Sequence, residues 1–141
     1  MDAIQQKLSI TKIFTFETAH RISDYQGACS QLHGHSYVLY VTVSGELLDH
    51  DMLLDFKVLK EIVQEKIIKI LDHALALKDT EEHRKKFDGL GQKVFWMSHE
   101  PTAERMLLWM KDSIIPSLPS HIDLQTLVLY ETATSYATWN A

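Results

Sequence analysis

Several features that define whole classes of protein are missing from this sequence. It contains one cysteine, Cys29, so it cannot form an intrachain disulfide; in a reducing compartment such a residue is either a small buried hydrophobe or a functional thiol. Its apolar runs fall far short of the ~20 residues that a membrane span requires, so no membrane partner is expected. Residues 1–20 lack the ordered regions of a secretory signal, which favours a cytoplasmic location.

Clustered positive charge is also scarce. The formal net charge is −5, and the longest basic run is the triplet Arg84, Lys85 and Lys86. A surface that follows nucleic-acid phosphates needs many such charges together, so no nucleic-acid partner is expected. By contrast, hydrophobic residues make up 45% of the 141-residue chain, which is sufficient for one domain over residues 1–141.

The patterning predicts four strands. Alternation over residues 8–20 and the β-branched and aromatic residues of 35–45 indicate two long strands, joined by a loop over 21–34 that contains two glycines. Residues 124–131 and 135–139 indicate two shorter strands. The turn between these shorter strands leaves no room for a crossover, so they should form a hairpin.

Two helices are predicted between the pairs of strands. The first follows the N-cap residue Asp55 and runs to about Leu71, and the second opens at Pro101 and closes at Pro116. The apolar positions of the first helix recur at helical spacing and are Phe56, Leu59, Val63, Ile67 and Ile70. Residues 79–100 are interpreted as an irregular excursion between the helices, with no function assigned.

The element order of strand, strand, helix, helix, strand, strand predicts the fold class. It indicates an α+β domain in which a four-stranded antiparallel sheet carries two helices on one face (ββααββ). Such a sheet has open edges and an uncovered face, both of which self-assembly would close.

His33 and His35 are the sharpest local signal. Residues at i and i+2 of a strand point to the same face, so both imidazoles can reach one ion, and Gly34 leaves the backbone between them uncrowded. His20 ends the first strand and meets this pair if the first two strands form a hairpin. Three histidines around a metal with an open position are typical of a catalytic zinc site.

Cys29 leaves two alternatives open. Because it lies four residues before His33, it could complete a closed Cys-His₃ structural zinc site in a non-catalytic module. It could also act with His73 as nucleophile and base of a cysteine hydrolase, which would need no metal.

Acidic residues supply the remaining candidates. Asp72 precedes His73 at the end of the first helix, where a carboxylate can orient an imidazole. Glu131 ends a strand, where it is either solvated or available to read two adjacent N–H donors. Glu104 lies in the first turn of the second helix, where a negative charge also complements the helix dipole.

Together these residues resemble the 6-pyruvoyl-tetrahydropterin synthase family. The motifs that support the resemblance run along nearly the whole chain and are Phe16-Glu17-Thr18-Ala19-His20-Arg21, Cys29-x-x-x-His33-Gly34-His35, Leu54-Asp55-Phe56, Leu71-Asp72-His73, Pro101-Thr102-Ala103-Glu104 and Glu131-Thr132. The three residues between Cys29 and His33 are typical of its bacterial, 6-carboxytetrahydropterin-forming branch. The resemblance implies the family's tunnelling fold, a trimer or hexamer, and active sites between subunits.

The resemblance also implies roles for individual residues. The implied zinc ligands are His20, His33 and His35. The implied catalytic residues are the base Cys29, the relay pair Asp72 and His73, and Glu131, which also anchors the pterin. The implied substrate contacts are Glu104, which reaches a neighbouring subunit's pterin, and Thr102 in the same motif. Arg21, next to a zinc ligand, is a candidate contact for a triphosphate.

The implied activity is that of a zinc-dependent lyase. The expected substrate is 7,8-dihydroneopterin triphosphate, and the expected products are 6-carboxy-5,6,7,8-tetrahydropterin, acetaldehyde and triphosphate, in 7-deazapurine (queuosine) biosynthesis. The alternative within the family is triphosphate elimination alone, giving a 6-pyruvoyl product.

Overall fold

A computed structural model of the protein describes residues 7–141. Residues 1–6, which belong to the domain assigned to 1–141, lie outside the described part of the chain. The strands are β1 Lys7–His20, β2 His33–Glu46, β3 Ala74–Lys78, β4 Val94–Met97, β5 Asp123–Thr132 and β6 Ser135–Asn140. The helices are α1 Phe56–Val63, α2 Lys69–Leu71, α3 Glu81–Phe87 and α4 Ala103–Ile114.

The sheet has six strands in the order β4-β3-β1-β2-β5-β6. The central hairpin β1–β2 is antiparallel, as are the pairs β2–β5 and β5–β6. On the other side, β3 lies parallel to β1 and β4 lies parallel to β3. The α+β class is therefore confirmed, and the four predicted strands are all present, but the prediction of a purely four-stranded antiparallel sheet is wrong.

The two additional strands were missed because they are short and partly or wholly buried. β3 has five residues, of which Ala74, Leu75, Ala76 and Leu77 are all buried, so no polar residue alternates with apolar ones to mark a strand. β4 has four residues. The interpretation of 79–100 as irregular is also wrong, because this segment contains both α3 and β4.

The core lies between one face of the sheet and the helices. Phe14 and Phe16 of β1 and Tyr37 and Leu39 of β2 point into it, since alternate residues of a strand share a face. The opposite face has no helix over it among residues 7–141, and Ile13 there is 53% exposed. Within the same described range, no helix combines the length and apolar character that crossing a bilayer would require.

The first helix departs from regular geometry. α1 begins at Asp55, whose side chain accepts a hydrogen bond from the Lys57 backbone N–H (2.8 Å), and it reaches α2 through a π-helical turn at Gln64–Ile68. The expectation that Phe56 and Ile70 face the core is wrong, because they are 51% and 37% exposed. Instead, the fully buried residues are spaced four apart and are Leu59, Val63, Ile67 and Leu71. The π-helical turn accommodates one residue more than a regular α-helical turn, so these four buried side chains stay on the same face of the helix.

Candidate metal centre and active site

Three histidines meet where the central hairpin ends. The register pairs His20 with His33 and Thr18 with His35, so all three imidazoles lie at one end of β1 and β2. Each offers one ring nitrogen, and these nitrogens lie within 4.8 Å of one another. His20 is buried, while His33 and His35 are partly exposed. The arrangement can hold a metal ion and leaves one side of it accessible.

The hydrogen bonds of two of these rings determine which nitrogen is free. Nδ1 of His20 lies 2.9 Å from the Pro101 carbonyl oxygen, and Nδ1 of His33 lies 2.7 Å from that of Gln31. A carbonyl oxygen only accepts, so both Nδ1 atoms carry the proton and both Nε2 atoms present a lone pair. Backbone carbonyls that fix the far nitrogen in this way are typical of metal-binding histidines.

The two Nε2 atoms of His20 and His33 are only 3.1 Å apart. Since neither has a proton to donate, the contact is a close approach of two lone pairs rather than a hydrogen bond. A tetrahedral ion with ~2.0–2.1 Å bonds to nitrogen places its ligands about 3.4 Å apart. The spacing and the all-imidazole donor set therefore fit a cation such as zinc between the rings.

Burial also prepares the ring nitrogens for a metal. Desolvation lowers the pKa of His20 below its usual value, against the opposing effects of the Pro101 carbonyl and the Glu131 carboxylate. Desolvation likewise lowers the pKa of His35, again opposed by Glu131. Both imidazoles are therefore neutral at neutral pH, which is the form that binds a metal.

Glu131 places its carboxylate against the histidine cluster. Its Oε1 lies 3.5 Å from Nε2 of His20 and 3.6 Å from Nε2 of His35, and its side chain is 31% exposed. Both separations are longer than a hydrogen bond. The carboxylate thus lines a pocket of about 510 Å³ next to His35, and it is not a freely solvated strand end.

Asp72 and His73 form a rigid turn after α2. Asp72 Oδ1 accepts a hydrogen bond from the Glu17 backbone N–H (2.9 Å) and lies 3.1 Å from Nδ1 of His73. The N–H of His73 donates to the Glu17 carbonyl (2.7 Å), and Lys93 Nζ donates to the Asp72 carbonyl (2.7 Å). The Glu17 N–H is the main reason why the pKa of Asp72 lies below its usual value, and contact with His73 adds to it.

His73 has a backbone conformation that is uncommon for its residue type. Its φ of 63° lies in the left-handed region, which non-glycine residues enter at a cost of about 1–3 kcal/mol. The exchange of hydrogen bonds with Glu17 holds this conformation in place. Its side chain is 78% exposed and lines a second pocket, of about 340 Å³, that also contains His35. The two pockets share Gly34, His35 and Ser36.

Cys29 lies near this region in sequence but lines neither of these two pockets. It is exposed, in a 3₁₀ turn at Ala28–Ser30, and its carbonyl accepts a hydrogen bond from the Ile22 N–H (2.8 Å). The structure therefore brings together the three histidines and Glu131, with His73 close by, and places Cys29 in the loop that leads into His33.

The residues predicted on α4 have different surroundings. Thr102 is the N-cap, and its hydroxyl oxygen accepts a hydrogen bond from the Arg105 N–H (3.2 Å). Glu104 is exposed in the first turn. Neither residue lines the two pockets that meet at His35.

His83, in the segment that was interpreted as an irregular excursion, is buried and only 1% exposed. Its Nδ1 lies 2.7 Å from the Lys78 carbonyl oxygen, and its Nε2 lies 3.3 Å from a terminal nitrogen of Arg21. Arg21 also donates from Nε to the Ser30 carbonyl (3.1 Å). The sequence signal that could have indicated this burial is the spacing of His83 and Phe87, which lie one turn apart on the same face of α3.

Comparison with known proteins agrees with this geometry. A family model described as 6-pyruvoyl tetrahydropterin synthase matches residues 9–141. Among curated relatives, a 6-carboxy-5,6,7,8-tetrahydropterin synthase from Rickettsia conorii is 33% identical over 89% of this chain and 94% of its own. One of the same name from Haemophilus influenzae is 32% identical over 90% of this chain and 94% of its own.

Solved structures show the same fold at lower sequence identity. The 6-pyruvoyl tetrahydropterin synthase of Plasmodium vivax has a TM-score of 0.74 at 19% identity, covering 96% of this chain and 98% of that one. The Caenorhabditis elegans enzyme of the same name has a TM-score of 0.67 at 21% identity, covering 97% of each. The chain belongs to the 6-pyruvoyl tetrahydropterin synthase family.

Proposed function

We propose that this chain, a pterin synthase-type lyase by family, is a zinc-dependent 6-carboxy-5,6,7,8-tetrahydropterin synthase. It would convert 7,8-dihydroneopterin triphosphate and water into 6-carboxy-5,6,7,8-tetrahydropterin, acetaldehyde and triphosphate. The names of the curated relatives favour this product over the 6-pyruvoyl compound. We further propose that the protein acts in the cytoplasm, in 7-deazapurine (queuosine) biosynthesis.

One observation carries the proposal: three imidazole nitrogens lie together, and the Glu131 carboxylate lies beside two of these rings and lines a pocket with His35. His20, His33 and His35 would hold the zinc. A zinc ion bound there supplies a Lewis acid for the hydroxyl groups of the substrate side chain. Glu131 would bind the ring of the same substrate molecule.

Glu131 would select the pterin ring. A pterin presents its 2-amino group and N3–H side by side, and the two oxygens of a carboxylate accept from both. Its neighbours in the pocket include Tyr40, Tyr130 and Val38, which offer apolar surface to a flat ring.

Cys29, Asp72 and His73 would move the substrate protons. Asp72 contacts Nδ1 of His73, so it holds the proton on that nitrogen and leaves Nε2 of His73 as the site of proton exchange. Cys29, as general base, would take a proton from the substrate side chain, and the triphosphate would leave from that side chain. Cleavage of a carbon–carbon bond then separates acetaldehyde from the carboxylated ring.

The protein would work as a homo-oligomer, a trimer or hexamer with active sites between subunits. In the described residues the edge strands β4 and β6 each pair on one side only, and the sheet face opposite the helices remains uncovered. Ile13 and Tyr136 are 53% and 60% exposed, which favours further association. Glu104 and Thr102, which do not line the two pockets that meet at His35, would approach the pterin of a neighbour, and Arg21 remains a candidate triphosphate contact.

A product assay tests the function. The protein is incubated with 7,8-dihydroneopterin triphosphate, with and without a chelator and with zinc added back, and the products are identified by mass spectrometry. We expect 6-carboxytetrahydropterin and acetaldehyde, loss of turnover with chelator, and recovery with zinc. A 6-pyruvoyl product would instead assign the elimination-only reaction. Bound zinc without any turnover would indicate a non-catalytic module. Metal-independent turnover with a covalent adduct on Cys29 would indicate a cysteine hydrolase.

Replacing Glu131 by glutamine should weaken pterin binding roughly tenfold or more. The amide keeps the shape of the side chain but presents a donor to a donor of the ring. Titration with a pterin product analogue measures the affinity, and elemental analysis should show unchanged zinc. The matched control is Asp123→Asn at the other end of β5, where an exposed carboxylate pairs with Lys7 (3.1 Å). Equal affinities of Glu131→Gln and wild type would remove Glu131 from the site.

A further inference from the structure

The loop that bears Cys29 contacts a segment to which the proposed chemistry assigns no role. This cysteine loop comprises residues 21–32, between β1 and β2, and the segment comprises residues 79–100. We propose that Arg21 and His83 form a clamp that positions the cysteine loop, so that both are positioning residues for the proposed general base. The inference rests on the proposed function only for the role of Cys29 as general base. The clamp itself concerns the position of the loop and does not depend on that role.

His83 is a fixed, buried acceptor. Its backbone N–H donates to the Thr80 hydroxyl oxygen (3.1 Å), and its ring Nδ1 contacts the Lys78 carbonyl (2.7 Å). That carbonyl can only accept, so Nδ1 carries the proton and Nε2 holds a lone pair. The lone pair faces a terminal nitrogen of Arg21 at 3.3 Å. An imidazole that is 1% exposed therefore has both of its nitrogens in use within the protein.

Arg21, the first residue of the cysteine loop, connects this acceptor to the far end of the loop. Its guanidinium donates from one edge to His83 and from Nε to the Ser30 carbonyl at 3.1 Å, one residue beyond Cys29. The side chain is 21% exposed. A planar guanidinium with donors in fixed directions can join two acceptors, a task that a lysine ammonium performs less well. These contacts occupy two of the five N–H donors of the guanidinium.

A second set of contacts fastens the start of the cysteine loop to the same region. Ser23 donates from its backbone N–H to Glu100 (3.0 Å), and its hydroxyl also donates to the Glu100 carboxylate. Lys78 lies 3.5 Å from Asp24. The start of the loop is therefore held by Lys78 and by His83 and Glu100 of the segment, and Arg21 connects this anchored part to Ser30.

The clamp holds the stretch of chain that joins the proposed general base, Cys29, to the histidine cluster. The Ser30 carbonyl follows Cys29, and the next carbonyl, that of Gln31, accepts from Nδ1 of His33. A movement of the loop would thus displace the thiol relative to the histidine cluster. Displacement of a reacting group by about 1 Å can lower a rate by roughly 10²-fold.

His83→Leu and His83→Gln test the clamp. Leucine removes the acceptor, whereas glutamine retains an oxygen for Arg21. In hydrogen-exchange mass spectrometry without substrate, the amides of Ile22, Ser30 and Gln31 should exchange roughly tenfold faster in His83→Leu, and the Gln variant should recover much of the protection. Lys85→Ala, on the exposed face of α3, should behave like wild type.

Kinetics then separates positioning from substrate binding. His83→Leu and Arg21→Gln should lower kcat roughly tenfold or more while KM stays within about twofold of wild type, and zinc content should be retained. If His83→Leu does not fold, Arg21→Gln provides the same comparison. Unchanged exchange of the loop amides in both folded variants would overturn the clamp, whatever reaction the protein catalyses. A rise in KM alone would also overturn it and return Arg21 to the triphosphate.

Discussion

Replacing His35 by alanine is expected to remove both the zinc and the activity. The three histidine nitrogens lie within 4.8 Å of one another, and loss of one leaves only two ligands from the chain. Changes in groups that merely orient a ligand already cost 10–100-fold in affinity, so loss of a ligand should lower zinc affinity by more than ~10²-fold. Elemental analysis of the purified variant and the product assay measure the two effects.

His35 is better suited to this test than His20. The His35 side chain is 18% exposed, whereas that of His20 is 2% exposed, so truncation of His20 would add a cavity to the loss of the ligand. The control is His121→Ala, an exposed histidine just before β5, which should keep its zinc. Full zinc occupancy in His35→Ala would refute the three-histidine assignment.

Replacing Cys29 by alanine is expected to leave the zinc in place and slow turnover at least ~10²-fold, the usual scale for loss of a general base. The exposed Cys29 is not part of the histidine cluster, so its removal should not disturb the ligands. Zinc content, pterin affinity and single-turnover rate should be measured on the same preparation. Cys29→Ser is the matched variant, because it conserves shape and replaces the thiol by a hydroxyl that stays protonated at neutral pH.

The opposite pattern in Cys29→Ala would support the alternative that the sequence left open. Loss of zinc together with activity would mean that the cysteine closes a structural Cys-His₃ site. A chain that keeps its zinc, its pterin affinity and its full rate would mean that proton transfer depends on another group, for which His73 is a candidate because it shares a pocket with His35.

The sequence predicted what depends on local patterning. His33 and His35 share a face because strand residues alternate, and His20 joins them because the first two strands pair as a hairpin. The contact between Asp72 and His73 was likewise expected from adjacent residues at a helix end, and the structure has it at 3.1 Å. Each of these placements needs only a strand, a helix end or one hairpin.

Placements that depend on distant partners were not predictable in this way. β3 pairs with β1 through the registers Thr18–Ala74 and His20–Ala76, more than fifty residues apart, and nothing in the Ala74–Lys78 segment alone indicates that neighbour. His83 is buried because Arg21 and the Lys78 carbonyl satisfy its nitrogens, and Arg21 lies 62 residues away. A polar residue with remote partners looks the same in sequence as one in solvent.

The π-helical turn at Gln64–Ile68 has a consequence for how the family's chains can vary. Each residue of a helix adds about 100° of rotation and 1.5 Å of rise, so a one-residue change in length turns everything beyond it through more than a quarter of a circle. Asp55 fixes one end of this helix, and Glu17 receives Asp72 and His73 at the other. The direction in which the Asp72–His73 turn faces therefore depends on the number of residues in this helix as well as on the Asp72 side chain. Substitutions at the exposed positions Gln64, Glu65 and Lys66 can accumulate without redirecting that turn, whereas an insertion beyond the one residue that the π-helical turn already accommodates would aim it away from the sheet.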